Sequence, residues 1–228
     1  MGVPKYIGAI VFGSDQGLVG RFNEVVADHA VKVLTALPGD PKVWAVGERV
    51  RERIVQAGIP VINAFDVPGS VRSITPLVSQ LLLESEVEQA GGGLATVHVF
   101  YNHPEAAAPY TPIDLQLLPL DAAWAQHVAQ VSWPTKIPPE VLDTDHSTLR
   151  WLLHEYLFIT LYRACAGSLT SENASRLAAM QRADKNIDEL LDTLNGSFQN
   201  LRKTAIDEEL FDVIASYGSK KDRRSRPT

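Results

Sequence analysis

Residue types that could do chemistry gather in three places in this sequence. The first is G-S-D-Q-G-L-V-G at residues 13–20, a glycine-rich turn after a short apolar run. Such turns can cradle phosphates with backbone N–H groups. This one lacks the Gly-Lys-Ser/Thr of a P-loop and the G-x-G-x-x-G of a dinucleotide fold. Gly13, Ser14, Asp15, Gly17 and Gly20 therefore read as a structural turn, in which glycine supplies backbone freedom. The second place is the pair His98 and His103, which has no cysteine or further ligand nearby at metal-binding spacing. The third is a charged cluster, Arg202, Lys203, Asp207, Glu208 and Glu209, where Lys203 and Asp207 stand one helical turn apart. Cys165 sits among apolar residues and reads as a packed small residue rather than a nucleophile. No Ser-His-Asp order and no carboxylate pair stands out, so the residues point to no catalytic group, metal or cofactor.

An alternation of strands and helices must hold the turn. Residues 6–12, Y-I-G-A-I-V-F, form a continuous apolar run of the kind buried on both faces of a sheet. Residues 21–37 carry apolar side chains at helical spacing, and Pro38 and Gly39 stop them. A strand is expected at 42–46, an amphipathic helix at 48–57 closed by Gly58, and a strand at 60–65. The next helix runs to Ala90 and starts either near Ser70 or at Thr75 with Pro76 in its first turn. Strands follow at 94–101 and 113–120, and this final pair is expected to form an antiparallel edge. Alternation of this sort predicts a mostly parallel sheet with helices on its faces. Residues 121–145 read as an irregular connector packing Trp124 and Trp133 on the body. Residues 143–147 supply N-cap candidates for what comes next.

What comes next is one very long helix, to about residue 217. A helix of about 70 residues is on the order of 100 Å long. Its first part, residues 148–169, is apolar on most sides and is expected to pack on the α/β body or against another chain. Beyond Thr170 a narrow seam remains: Met180, Ala183, Ile187, Leu190 and Leu194 at alternating steps of three and four. Phe198 and Leu201 continue it after a stutter, which locally relaxes a supercoil. A bare seam of this length marks an interface. The expected organisation is an α/β domain with connector at 1–147, a long helix at 148–218 and a basic, disordered tail at 219–228.

Composition narrows the classes. Net charge is −6 over 228 residues, which argues against general nucleic-acid binding. Apolar content of 45% is ordinary for a globular protein, so disorder is not the default. One cysteine cannot form an internal disulfide. No apolar run is long enough for a membrane-spanning helix.

Two stretches carry a family resemblance. S-E-N-A-S-R-L-A-A-M-Q-R-A-D-K-N-I-D-E-L, followed by N-L-R-K-T-A-I-D-E-E-L-F-D-V-I, resembles the C-terminal helix of the gamma chain of rotary ATP synthases. The turn S-D-Q-G-L-V-G-R-F-N resembles that family's S-D-R-G-L-C-G-x-x-N, likewise set between a first strand and a helix. The resemblance implies a Rossmann-like α/β body followed by a long coiled-coil-type helix, with no active site and no cofactor. It implies a central-stalk subunit coupling proton or sodium flow to ATP synthesis or hydrolysis by rotation. The implied partners are the catalytic and non-catalytic nucleotide-binding subunits of a hexamer, the small rotor-stalk subunit and the membrane rotor ring. The implied location is the cytoplasmic side of the membrane, as a peripheral component.

The resemblance places subunit contacts at Arg202, Lys203, Asp207 and Glu209. Arg202 and Glu209 match the family's segment, while Lys203 stands for Gln and Asp207 for Thr. The family's chain begins with a helix that pairs antiparallel with the C-terminal one, whereas here the first strand follows Lys5. That leads to the expectation that the seam pairs with such a helix, with another copy, or with another protein. The rival expectation is a free-standing α/β enzyme or ligand binder that dimerises through the helix.

Overall fold

The computed structural model describes residues 6–90, 94–105, 110–120, 126, 130–132, 135–137, 140 and 145–224. Trp124, Trp133, Asp143 and Thr144, to which packing and capping roles were assigned, lie outside the described residues.

Five strands form one sheet in the order β3-β2-β1-β4-β5: β1 (Tyr6–Phe12), β2 (Asp40–Val46), β3 (Val61–Phe65), β4 (Leu94–His103) and β5 (Thr111–Leu118). β1 is central and runs parallel to β2 and β4, and β2 runs parallel to β3. β5 closes the edge antiparallel to β4, with Val99 opposite Leu115 and Tyr101 opposite Ile113. This is the mostly parallel α/β sheet that the alternation predicts. Parallel neighbours need crossovers, and helices α1 (Phe22–Ala36), α2 (Glu48–Gln56) and α3 (Ile74–Ala90) supply them. The two expected starts of α3 are reconciled by a 3₁₀ turn at Val71–Ser73, opened by the Ser73 N–H donating to the Ser70 carbonyl at 3.0 Å.

The continuous apolar run of β1 follows from burial on both sides. Ile7, Ala9 and Val11 face one core with Val26, Ala30 and Leu34 of α1 and Val50 and Ile54 of α2. Ile10 and Phe12 face the other, with Trp44, Val46, Val97 and Val99 of the sheet and Ile74, Val78, Leu81 and Leu82 of α3. Into this second core α4 (Asp145–Arg224) inserts Leu161, Ala164 and Cys165.

The chain divides into two compact units, residues 1–179 and 180–228, and the division falls inside α4. Within the first unit the stretch at 148–169 packs on the α/β body, one of the two partners expected for it. Only one face of it is buried, carried by Leu161, Ala164, Cys165 and Ser168, with Leu157 and Phe158 partly covered. Leu149, Trp151, Leu152 and Ile159 are exposed, Trp151 by 64%. A helix meets a sheet along one stripe, so apolar residues on its remaining sides stay in contact with water unless a further element covers them. In the second unit the backbone stays helical through Arg224, inside the stretch read as a disordered tail. Lys and Arg are good helix formers, and nothing in that stretch breaks the ladder before Pro227.

Candidate functional site

The turn at 13–20 sits where β1 ends and the sheet's connections reverse direction, the place where open α/β sheets bind ligands. Here the polar groups of the turn are spent inside the protein. The Ser14 N–H donates to Asn23 Oδ1 at 2.8 Å, and Asn23 Nδ2 donates back to Ser14 Oγ at 2.8 Å. Ser14 Oγ donates to the Gln16 carbonyl, and the Ser14 carbonyl accepts from the Arg49 N–H at 3.0 Å. Asp15 accepts from the Glu48 N–H on one carboxylate oxygen (3.0 Å) and from the Val67 N–H on the other (2.8 Å). It thereby satisfies an orphan donor at the start of α2 and ties the loop after β3 to the turn. Asn102, fully buried at the end of β4, donates to the Phe22 carbonyl at 2.9 Å. Gly13 and Gly47 complete the knot: Gly13 N–H donates to Val46 O and Gly47 N–H to Phe65 O, linking three neighbouring strand ends.

Asp15→Ala is expected to cost about 2–3 kcal/mol, since two backbone donors lose a charged acceptor at once. Urea denaturation of the variant measures it. Asp15→Asn keeps one acceptor and should cost roughly half as much.

One face of α4 in the first unit is polar and buried. Ser168, Ser171, Glu172 and Ser175 follow each other at helical spacing, and none is more than 6% exposed. Glu172 holds Arg176 at 2.6 Å, and its other oxygen has no partner among the described residues. It borders a cavity of about 250 Å³ shared with Asp15, Gln16, the loop at 67–69 and Asn173. Burial pushes its carboxyl above the ordinary carboxylate range, against the pull of Arg176 and with a smaller push from Asp15.

A carboxyl whose folded pKa is raised stabilises the fold below its unfolded pKa, and that contribution is lost as pH rises through the folded value. Glu172→Gln is therefore expected to flatten the difference in stability between acid and neutral pH. Denaturation midpoints of parent and variant across that window test it.

His98 is buried and stacks on Phe100 at 6.2 Å between ring centroids, and burial lowers its pKa. His103 packs edge-on against Tyr101. Among the described residues no group of three or more His, Cys, Asp or Glu is placed to hold a metal. No helix among them is long and apolar enough to cross a membrane.

In the second unit every side chain described from Met180 to Ile214 is exposed. This includes Arg202, Lys203, Asp207 and Glu209, and the seam residues Met180, Ala183, Ile187, Leu190, Leu194, Phe198 and Leu201, of which only Ala183 is small. A second set of apolar residues, Ile206, Leu210, Val213 and Ile214, lies on a different side of the helix and was not singled out in the seam. Asn23, Gly47, Asn102 and Glu172 were also missed. The one local signal was Asn23, the last residue of the S-D-Q-G-L-V-G-R-F-N stretch.

A turn closed on itself and a long helix with an exposed apolar stripe define a scaffold that works through contacts with other proteins. A family model described as ATP synthase matches residues 2–219. The chain belongs to the gamma-chain family of ATP synthases, whose members are non-catalytic stalk subunits. It is 29% identical over 217 residues to the ATP synthase gamma chain of Nitratidesulfovibrio vulgaris, covering 92% of this chain and 72% of that one. It is 25% identical over 219 residues to the gamma chain of Syntrophus aciditrophicus, with the same coverage of 92% and 72%. Its fold is similar to a chain of the Euglena gracilis mitochondrial ATP synthase, with a TM-score of 0.69 and 13% identity over 99% of this chain and 76% of that chain. It is also similar to a chain of the Tetrahymena thermophila mitochondrial central stalk and c-ring, with a TM-score of 0.59 and 21% identity over 81% and 79%.

Proposed function

We propose that the chain is a central-stalk subunit that carries torque in a rotary ATP synthase, coupling proton or sodium flow to ATP synthesis or hydrolysis. The observation that carries this reading is the continuity of the family match, which runs through the α/β body and on into α4 as far as residue 219. The physical basis is differential contact. A rod with unequal sides touches each surrounding nucleotide-binding subunit differently, and turning it shifts which conformation each subunit favours. The α/β body serves as the foot toward the small rotor-stalk subunit and the membrane ring. Arg202, Lys203, Asp207 and Glu209, exposed on α4, serve as contacts to catalytic and non-catalytic subunits of the hexamer. The complex would sit on the cytoplasmic side of its membrane. Closure of the Ser14–Asp15 turn on Asn23, Glu48 and Val67 supports a rigid foot rather than a nucleotide site.

Co-expression with the cognate hexamer subunits tests the reading. The chain is expected to co-purify with the hexamer and to rotate on ATP addition when a bead is fixed to the foot. A hexamer that forms and hydrolyses ATP while excluding the chain would overturn it.

A further inference from the structure

The exposed seam of the second unit has a symmetry of its own. Outward from Leu194 its apolar residues step by four, three and four in both directions, to Leu190, Ile187 and Ala183 one way and to Phe198, Leu201 and Ala205 the other. The stutter puts the centre of symmetry on a seam residue, Leu194, whereas a regular three-four repeat is symmetric only about points between seam residues. Past Ala205 the line of the seam is taken over by Glu208 and Asp212, so the stripe ends there.

We propose that the chain, when not held by other subunits, pairs with a second copy of itself through an antiparallel coiled coil centred on Leu194. In this register Leu194 meets Leu194 of the second copy, Leu190 meets Phe198, Ile187 meets Leu201 and Ala183 meets Ala205. These layers are apolar, the outer ones being Ala183 with Ala205, and one step further Met180 of the seam meets Glu208, where the apolar contact ends. A twofold axis through Leu194 makes the interface closed and self-complementary. Charge fits the same register. Asp184 and Arg202 each directly follow a seam residue on the same flank, ten residues before and eight after Leu194, and flanking positions offset in this way meet across an antiparallel pair, so each Asp184 faces Arg202 of the second copy, twice over. Neither has an ion-pair partner among the described residues. The opposite flank brings Thr193 to Ser197 and Asn186 to Thr204, without like charges. A parallel pair would place Asp184 far along the rod from Arg202 and would lose both contacts.

This goes beyond the stalk reading, since one face cannot serve two occupants: the dimer is the form of the free chain. Cysteine scanning reads it directly. Burial pushes the Cys165 thiol up to about 12, so it stays silent beside an introduced surface thiol. In the full chain, Leu194→Cys is expected to form a disulfide-linked dimer on mild oxidation. Ile187→Cys alone should not, because its copies sit about 21 Å apart in this register. Mixing Ile187→Cys with Leu201→Cys should give the mixed dimer. In sedimentation, Asp184→Arg should weaken the dimer ~10-fold or more, and adding Arg202→Asp should restore it to within ~3-fold of the parent. Efficient self-linking of Ile187→Cys would show a parallel pair and overturn the proposal. So would a parent chain that sediments as a monomer at every concentration, leaving the stripe to a different helix. These measurements use the chain alone, so their failure is distinct from exclusion from the hexamer.

Discussion

Gly47→Ala is expected to lower the stability of the α/β body by about 4 kcal/mol. Gly47 sits between β2 and α2 with φ of 111° and ψ of 132°, a conformation that side chains with a Cβ rarely adopt. That backbone strain alone costs roughly 1–3 kcal/mol. A Cβ there would also lie 2.8 Å from both the nitrogen and the carbonyl oxygen of Ser14. Those atoms cannot give way cheaply, because the Ser14 N–H is bound to Asn23 and the Ser14 carbonyl to the Arg49 N–H. Overpacking adds a further cost of about 1–3 kcal/mol.

Three further variants separate the causes. Gly58→Ala, with φ of 81° and open space around the new methyl, carries strain without a clash and should cost about 1–2 kcal/mol. Gly17→Ala meets nothing within 4 Å and should be near neutral. Gly13→Ala is a pure clash, with the new Cβ 2.3 Å from Val50 Cβ. Val50→Ala should not rescue it, because the conflicting atom is the one alanine keeps. Urea denaturation with unchanged slope for each variant is the measurement. A Gly47→Ala protein as stable as the parent would mean that the turn is not clamped.

The parts of this structure that could be read from the chain are those that repeat locally. The apolar run of β1 and the alternation up to Leu118 prescribe a sheet covered on both faces, and the closing strands pair antiparallel as their succession implies. The seam of α4 is equally local, since steps of three and four fix its side of the helix without reference to anything else. What escaped is long-range. Asn102 reaches Phe22, and Asp15 reaches Val67, and no spacing rule joins residues so far apart in the chain. Glu172 looks like an ordinary charged helix residue in S-E-N-A-S, and only the fold buries it. The side of residues 148–169 that meets the sheet is hidden in the sequence for the same reason. Trp151 and Leu152 are as apolar as Leu161, and composition cannot say which of them meets the sheet.

Trp44→Ala carries the other large effect, an expected loss of about 3–5 kcal/mol. Trp44 is 1% exposed and lies in the core between the sheet, α3 and the first part of α4, among Ile10, Val78, Leu81, Val99 and Leu161. Alanine would leave a cavity that these side chains, held by strands on one side and helices on the other, cannot close. The indole N–H also donates to Glu84 Oε2 at 3.1 Å, and Glu84 accepts from Asn63 as well. Trp44→Phe separates the two contributions: it keeps most of the volume and loses the hydrogen bond, while Glu84 retains Asn63 and contact with water. Its expected cost is about 1–2 kcal/mol.

The consequence for work follows from where the cavity opens. The buried face of α4 rests on this core, so Trp44→Ala loosens the seat of the helix while leaving the exposed side chains of Arg202 and Glu209 unaltered. In a reconstituted complex the variant should therefore still enter the hexamer and support ATP hydrolysis, but move fewer ions per ATP than the parent, with Trp44→Phe in between. Equal pumping per ATP in all three, at the stability difference given above, would show that torque does not pass through the core beneath the helix.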